Sequence, residues 1–240
     1  RHVFVCNGTC WNGIGWSDLD FATRIGISVD LVEAMQVFDN YLFIGVRVHE
    51  GSNYYARVYR YDGDEFYSEL SITNTSNQSG IEDLTIHNEE LYAAQGMVNG
   101  EVFRRIDSAN WTSVGDKFSG GEQVRALASY KGELYSGGGG LAKIKKWNGR
   151  SWDLVENLST RFSIGLSIWS LAADEDYLYA GPVGTMAYTP GLIPAFDGDG
   201  WTNSLNLIGN VRLANINGQV WAGALDGKIY WNHGSWEQYG

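Results

Sequence analysis

Apolar positions recur along this chain at a fixed interval. A single apolar residue precedes, by seven positions, a run of apolar, aromatic and two small residues. Leu84 precedes Leu91-Tyr92-Ala93-Ala94, Leu127 precedes Leu134-Tyr135-Ser136-Gly137, and Leu171 precedes Leu178-Tyr179-Ala180-Gly181. Met35 stands at the same distance from Leu42-Phe43-Ile44-Gly45, and Leu213 from Val220-Trp221-Ala222-Gly223. That spacing fits two antiparallel strands joined by a tight turn, and Asp39-Asn40, Lys131-Gly132 and Asn217-Gly218 supply the turn chemistry. Polar residues alternate weakly within these runs, as expected of strands buried on both faces. The small residues close the second strand where packing would otherwise be crowded.

A second pattern follows each of these: an aromatic residue, Asn or Asp with Gly, two residues, and another aromatic. It reads Tyr61 to Phe66, Trp147 to Trp152, Phe196 to Trp201 and Trp231 to Trp236, with Ile106 to Trp111 a weaker copy. Such a turn closes a hairpin and sets the two aromatic rings opposite or diagonal to each other. Two hairpins make a four-stranded unit, with strands A to D. Near the N-terminus, Val3-Phe4-Val5-Cys6 matches strand B and Trp11 to Trp16 matches the C–D turn, so this copy lacks strand A.

Repeating four-stranded units with apolar strands predict an all-β chain folded as a single β-propeller over residues 1–240. The units run approximately 1–23 (partial), 24–73, 74–116, 117–158, 159–207 and 208–240. Six blades are favoured, the first lacking its innermost strand. The alternatives are a five-bladed ring with residues 1–16 as a clasp, or a blade completed by a strand from another chain. The segment VRALASYKGELYSGGGGLAKIKKWNGRSW (124–152) resembles the tandem repeats of bacterial cell-surface and secreted propellers, in which ALAxYxGxLYAGG and WNGxxW motifs recur. The chain is more loosely similar to kelch-type and tachylectin-type propellers. This resemblance implies the architecture and carries no activity.

The 240 residues carry a formal charge of −11 and no basic stripe, which argues against nucleic acid as a partner. No apolar run is long enough to span a bilayer, so membrane insertion is not expected. Cys6 and Cys10 frame an Asn-Gly turn and are expected to form a disulfide, which suits an extracellular or cell-surface location. Sequons at Asn7, Asn74, Asn77, Asn110 and Asn157 are possible glycosylation sites, expected in turns or loops.

In a four-stranded meander the B–C and D–A connections share one face of the ring. The longest, 46–57, 182–195, 17–32, 71–81 and 155–167, converge there, and binding groups are expected on it. His49, Glu50, Asn53, Tyr54 and Tyr55, with Tyr188 from another blade, offer aromatic faces beside hydrogen-bonding groups and are the candidate ligand site. The alternative is that Tyr54 and Tyr55 only pack the loop down. The repeated tryptophans read as packing between blades, and Asp62/Asp64 and Asp197/Asp199 as turn chemistry rather than calcium ligands. The four histidines occupy different repeat positions, and no metal or cofactor site is expected.

No nucleophile motif and no singled-out carboxyl pair appears, so catalysis is not expected. The first reading is a non-enzymatic extracellular adhesion module that binds glycans, or extracellular proteins, through the long-loop face. A second is a structural subunit that forms oligomers or filaments through its open N-terminal blade. A third is a polysaccharide hydrolase or lyase.

Overall fold

The seven-residue spacing folds as a hairpin in every copy. Met35 lies opposite Ile44, Leu84 opposite Ala93, Leu127 opposite Ser136, Leu171 opposite Ala180 and Leu213 opposite Ala222. In four of these hairpins both central turn residues take positive φ, as at Asp39 (51°) and Asn40 (63°) or Asn217 (54°) and Gly218 (82°). Such turns carry a twist that matches the right-handed twist of the strands they join. The fourth hairpin is longer, and Asp174 Oδ1 closes its turn by accepting from Asp176 N and Tyr177 N.

These hairpins belong to a computed structural model that describes residues 3–6, 16–74, 80–96, 99–164, 167–183 and 190–239. The first four-stranded sheet holds β3 (Ser28–Phe38), β4 (Tyr41–Glu50), β5 (Asn53–Tyr61) and β6 (Phe66–Asn74). The second holds β7 (Ile81–His87), β8 (Glu90–Gln95), β9 (Glu101–Asp107) and β10 (Asn110–Ser113). The third holds β11 (Ala126–Tyr130), β12 (Glu133–Gly137), β13 (Lys143–Trp147) and β14 (Trp152–Asn157). The fourth holds β15 (Ser167–Ala173), β16 (Leu178–Val183), β17 (Pro190–Phe196) and β18 (Trp201–Ile208). The fifth holds β19 (Val211–Ile216), β20 (Gln219–Ala224), β21 (Ile229–Asn232) and β22 (Trp236–Tyr239). Each is an antiparallel meander drawn from one uninterrupted stretch of chain. Two short helices, α1 (Phe21–Ile25) and α2 (Leu158–Phe162), lie between sheets. The architecture is that of a β-propeller.

The first strands β3, β7, β11, β15 and β19 line a common axis and pack in succession. Each joint between sheets is an apolar layer. Phe43, Ala56 and Val58 of the first sheet meet Ile81, Leu84 and Leu91 of the second, and Tyr179, Ile193 and Ala195 of the fourth meet Val211, Leu213 and Val220 of the fifth. The glycines that end strand B make these layers possible. A Cβ at Gly45 would stand 2.7 Å from Ile81, one at Gly137 2.7 Å from Ile168, and one at Gly181 2.8 Å from the Val211 carbonyl. A buried carboxylate adds a polar tie between the first two sheets. Glu69 accepts from Arg60 Nε (2.8 Å), Arg105 Nε (3.1 Å) and Ala109 N (3.0 Å). Burial would raise its pKa, but these donors outweigh burial and hold it below the ordinary glutamate value.

The aromatic-flanked turns form as expected in three copies. Asp62, Asn148 and Asp197 each accept two backbone N–H groups across the turn, and the rings of Tyr61/Phe66, Trp147/Trp152 and Phe196/Trp201 face each other at 4.6, 5.5 and 5.2 Å. The last copy departs from this. Its glycine, Gly234, falls one position later, Asn232 pairs with Trp236, and Trp231 lies opposite Glu237. Trp231 and Trp236 therefore point to opposite faces of the fifth sheet.

The N-terminal unit also differs from its expected B–C–D form. β1 (Phe4–Cys6) pairs directly with β2 (Trp16–Asp18), where the expected order would place strand C beside each. The pair is held by its apolar side. Val3, Leu19 and Phe21 pack on Val29, Ile44, Val46 and Val48 and cover the near face of the first sheet. The Cys6–Cys10 pairing, Asn7 and Asn77 lie outside the described residues. Asn74, Asn110 and Asn157 sit at strand ends rather than within loops. Asn157 also caps α2, its Oδ1 accepting from Thr160 N at 3.1 Å.

Candidate functional site

The long-loop face does carry a pocket, but the pocket is axial. Inner strands enter the ring at that face, and irregularities near their entry points decide what reaches the axis. In β3, β7 and β15 the pairing with strand B slips by one residue, at Val32/Ala34, Ile81/Asp83 and Ile168/Ser170. The bulged residues are Glu33, Glu82 and Trp169. A bulge turns its extra residue out of the ladder and re-aims its side chain. All three line a cavity of about 720 Å³, together with Arg47 of β4, Arg125 at the start of β11, and Arg212 of β19.

Two glycines outside the inner strands make room for the acids. A Cβ at Gly80 would stand 1.7 Å from Glu33 Oε2, and one at Gly96 2.0 Å from Glu82 Cγ. Trp169 is flanked by cations, the Arg212 guanidinium 4.4 Å and the Arg125 guanidinium 4.8 Å from its ring centre. Arg212 also donates to the Trp169 carbonyl (2.9 Å), and Arg125 to Glu82 Oε2 (3.2 Å) and Gln123 Oε1 (2.8 Å). Asp83, beside the pocket, is committed to the scaffold: it accepts from Leu84 N (2.8 Å) and Leu127 N (2.7 Å), tying β7 to β11. Ser170 Oγ does the same for β15 and β19 by accepting from Leu213 N.

Two buried polar atoms in this wall, Glu33 Oε2 and Arg47 Nε, have no hydrogen-bond partner among the described residues. Burial pushes Glu33 up to about 7, helped by Glu82 and opposed by Arg47, Arg125 and Arg212. Burial likewise raises Glu82 against the same guanidiniums, and lifts Asp83 to about 7 despite its two backbone donors. Burial lowers Arg212. Three guanidiniums thus face carboxyls whose ionisation burial opposes, and the pocket is locally rich in positive charge in a chain of net charge −11.

The residues expected to bind ligand fall elsewhere. The stretch 46–57 is mostly paired strand, with β4 and β5 turning tightly at Gly51-Ser52. The register brings His49 opposite Tyr54 and Glu50 opposite Asn53, so the group does assemble. Two of its polar groups are engaged within the chain, His49 Nδ1 with Asp30 (2.8 Å) and Glu50 with Arg57 (2.7 Å), and the Arg57 guanidinium lies over Tyr55 (4.5 Å). Arg57 holds the exposed Glu50 carboxyl below its ordinary range. None of these residues lines the axial pocket. Tyr188 lies outside the described residues. Of the repeated tryptophans, Trp152 donates to the Val114 carbonyl (2.8 Å) and packs with Trp147 against the second sheet, and Trp236 packs on the fourth.

The sequence matches no protein-family model and no curated protein. Solved structures share the fold. A structure titled RS223-Beta-xylosidase is 12% identical, covers 85% of this chain and 87% of its own, and superposes with a TM-score of 0.52. Sqt1 of Saccharomyces cerevisiae is 14% identical over 96% of this chain and 64% of its own, with a TM-score of 0.57. U3-55K is 16% identical over 85% and 61%, with a TM-score of 0.59. At these identities the likeness concerns the fold alone.

Proposed function

We propose that this chain is an extracellular binding module that takes a carboxylate-bearing glycan into the axial pocket on its long-loop face. The observation carrying this reading is the pair of buried, unpartnered polar atoms, Glu33 Oε2 and Arg47 Nε, in a wall with three guanidiniums. Buried polar groups are normally satisfied, and two orphans in a pocket wall fit a ligand with complementary groups. Arginine pairs with carboxylates in a planar fork, and alternating donors and acceptors suit the hydroxyls of a sugar ring. Glu33, raised to about 7 by burial, is placed to donate a hydrogen bond when protonated as well as to accept one. In this reading the ring has six blade positions, the first held by the short β1–β2 pair against the near face of the first sheet.

The test is a glycan array followed by calorimetry with uronic-acid oligosaccharides and their neutral counterparts. The acidic ligands are expected to bind, and Arg47→Gln and Arg212→Gln to weaken them at least tenfold, the loss of a charge-assisted hydrogen bond being worth about 1.5–3 kcal/mol. Absence of binding to every acidic sugar removes the reading.

One observation favours a second reading, polysaccharide hydrolysis. Glu33 and Glu82 line the same cavity, and Glu82 adds to the cost of ionising Glu33, as a general acid paired with a second carboxylate requires. Reducing-end release from a panel of polysaccharides, lost in Glu33→Gln and Glu82→Gln, supports it, and inactivity throughout retires it.

A further inference from the structure

The joint between the fourth and fifth sheets differs from the joint before it at one register position. Across the C–D turns Trp147 pairs with Trp152 and Phe196 with Trp201, whereas Asn232 pairs with Trp236. In the fourth sheet the first ring of the pair fills the joint, with Phe196 6.2 Å from Tyr135, the strand B aromatic of the third sheet. In the fifth sheet an amide stands there instead, and Asn232 Nδ2 donates to the Tyr179 hydroxyl at 2.9 Å. Trp231, its neighbour in sequence, lies opposite Glu237 and packs on the other face with Trp221 (5.7 Å). The amide therefore leaves space in the joint that an aromatic ring occupies one blade earlier.

That space is a cleft on the face of the A–B and C–D turns, away from the axial pocket. Two adjoining cavities of about 370 and 530 Å³ share Asp174, Asp176, Asn232 and Gly234. Tyr177, 38% exposed, forms one wall. Trp236 forms another, edge-on to Tyr179 at 5.6 Å and held by Ser204 Oγ, which accepts from its Nε1 at 3.2 Å. The longer A–B turn of the fourth sheet carries Glu175 and Asp176 to the exposed rim. Beneath them Asp174 is fixed by the backbone N–H groups of Asp176 and Tyr177. Burial first, and then Asp174, push the Tyr179 hydroxyl upward, so it keeps its proton as a donor. No lysine or arginine lines either cavity among the described residues, and His233 of the outer one is turned to Trp231 (4.4 Å) and Glu237 (3.6 Å). The cleft is acidic where the axial pocket holds three guanidiniums.

We propose that this cleft is a second ligand site, one that takes a cationic alkylammonium group between Tyr177 and Trp236. Aromatic rings attract an ammonium through their quadrupole, and the carbon groups around its nitrogen pack against the same rings. Glu175 and Asp176 supply the opposite charge at the rim. Asp174, Tyr179 and Asn232 are already held by one another and by the turn, so the floor needs no rearrangement when a ligand arrives. A free quaternary amine and an alkylated lysine side chain present this same group, and the site recognises either through it.

The test titrates the full chain by calorimetry with choline, with a capped trimethyllysine, and with dimethylbutanol, the neutral carbon analogue of choline. Saturable binding of at least one cation is expected in the millimolar range or tighter, with the neutral analogue about fivefold weaker or more. Choline alone assigns a small amine and the lysine derivative alone a polypeptide side chain, and both outcomes support the site. Asp176→Asn and Tyr177→Ala, at exposed positions, should each weaken binding about fivefold and keep the parent melting temperature. Asn232→Phe, which restores the ring that Phe196 supplies one blade earlier, should abolish binding. Where that variant melts early, Asp176→Asn and Tyr177→Ala decide. No binding of either cation overturns the proposal, as does equal affinity for dimethylbutanol or affinity unchanged in both exposed variants. Arg47→Gln and Arg212→Gln should leave this binding as it is, so its outcome is read separately from that of the axial pocket.

Discussion

Replacing Glu33 with glutamine isolates the electrostatic character of the axial pocket. Its carboxyl is raised from 4.5 to about 7 by burial first and by Glu82 second. The sign follows from proton linkage. Below about pH 4.5 the group is protonated in both folded and unfolded chains and costs nothing. Between about 4.5 and 7 the folded chain holds a proton that the unfolded chain has lost, so stability falls as pH rises, and above about 7 the penalty is constant. A rise from 4.5 to about 7 corresponds to about 3.4 kcal/mol. Solvent at the pocket mouth screens part of this, leaving about 2 kcal/mol. Glutamine keeps the shape and removes the charge. The variant should lie within about 0.5 kcal/mol of the parent at pH 5 and exceed it by about 2 kcal/mol at pH 8, or about 4–8 °C in Tm for a chain of this size. Urea denaturation at pH 5, 6, 7 and 8 measures the difference directly. Parallel pH profiles, or a less stable variant at pH 8, would refute the assignment of Glu33 as a carboxyl whose ionisation the fold opposes.

Four other changes probe the scaffold. Gly137→Val forces side-chain atoms into Ile168 and should cost about 1–3 kcal/mol in chemical denaturation, whereas Gly223→Ala should fall within about 0.5 kcal/mol of the parent. Glu69→Ala leaves Arg60 and Arg105 without their shared carboxylate and should cost about 3 kcal/mol near pH 7. Because the Glu69 pKa is lowered, that contribution is present above the ordinary glutamate pKa and vanishes as pH falls through the lowered value, so the gap between parent and variant should close in acid melts. Asn148→Ala removes the acceptor for Arg150 N and Ser151 N and should lower stability by about 1 kcal/mol, read by differential scanning calorimetry.

The hairpins were legible because their signals are local. Turn residues, facing aromatics and the closing glycine all lie within a few positions of one another and repeat. The site was harder to see for the opposite reason. Four of its residues share one repeat position, two before the inner-strand apolar residue, where the chain places Glu33, Glu82, Arg125 and Trp169 in turn. A search for what recurs passes over a position whose identity changes each time. A polar or bulky residue breaking an otherwise apolar inner strand at that offset was the available signal. The His49–Tyr55 group reads as loop because aromatic and polar residues stand near an Asn or Gly, while the continued pairing of β4 with β5 makes it strand. The Trp231–Trp236 register was missed because a one-residue shift of glycine, from the third to the fourth place of the motif, reassigns which ring faces which side.

Because each sheet closes on itself before the chain moves to the next, stability is passed between neighbours through single apolar layers rather than through shared strands. Loosening should therefore travel inward from the fifth sheet, whose outer side has nothing upon it among the described residues. Amide exchange should be fastest in β21 and β22, slower in the fourth sheet, and slowest in the middle of the ring. A self-contained unit of this kind can also be gained or lost by tandem duplication without rethreading the rest, which makes the number of blades a variable that evolution can tune.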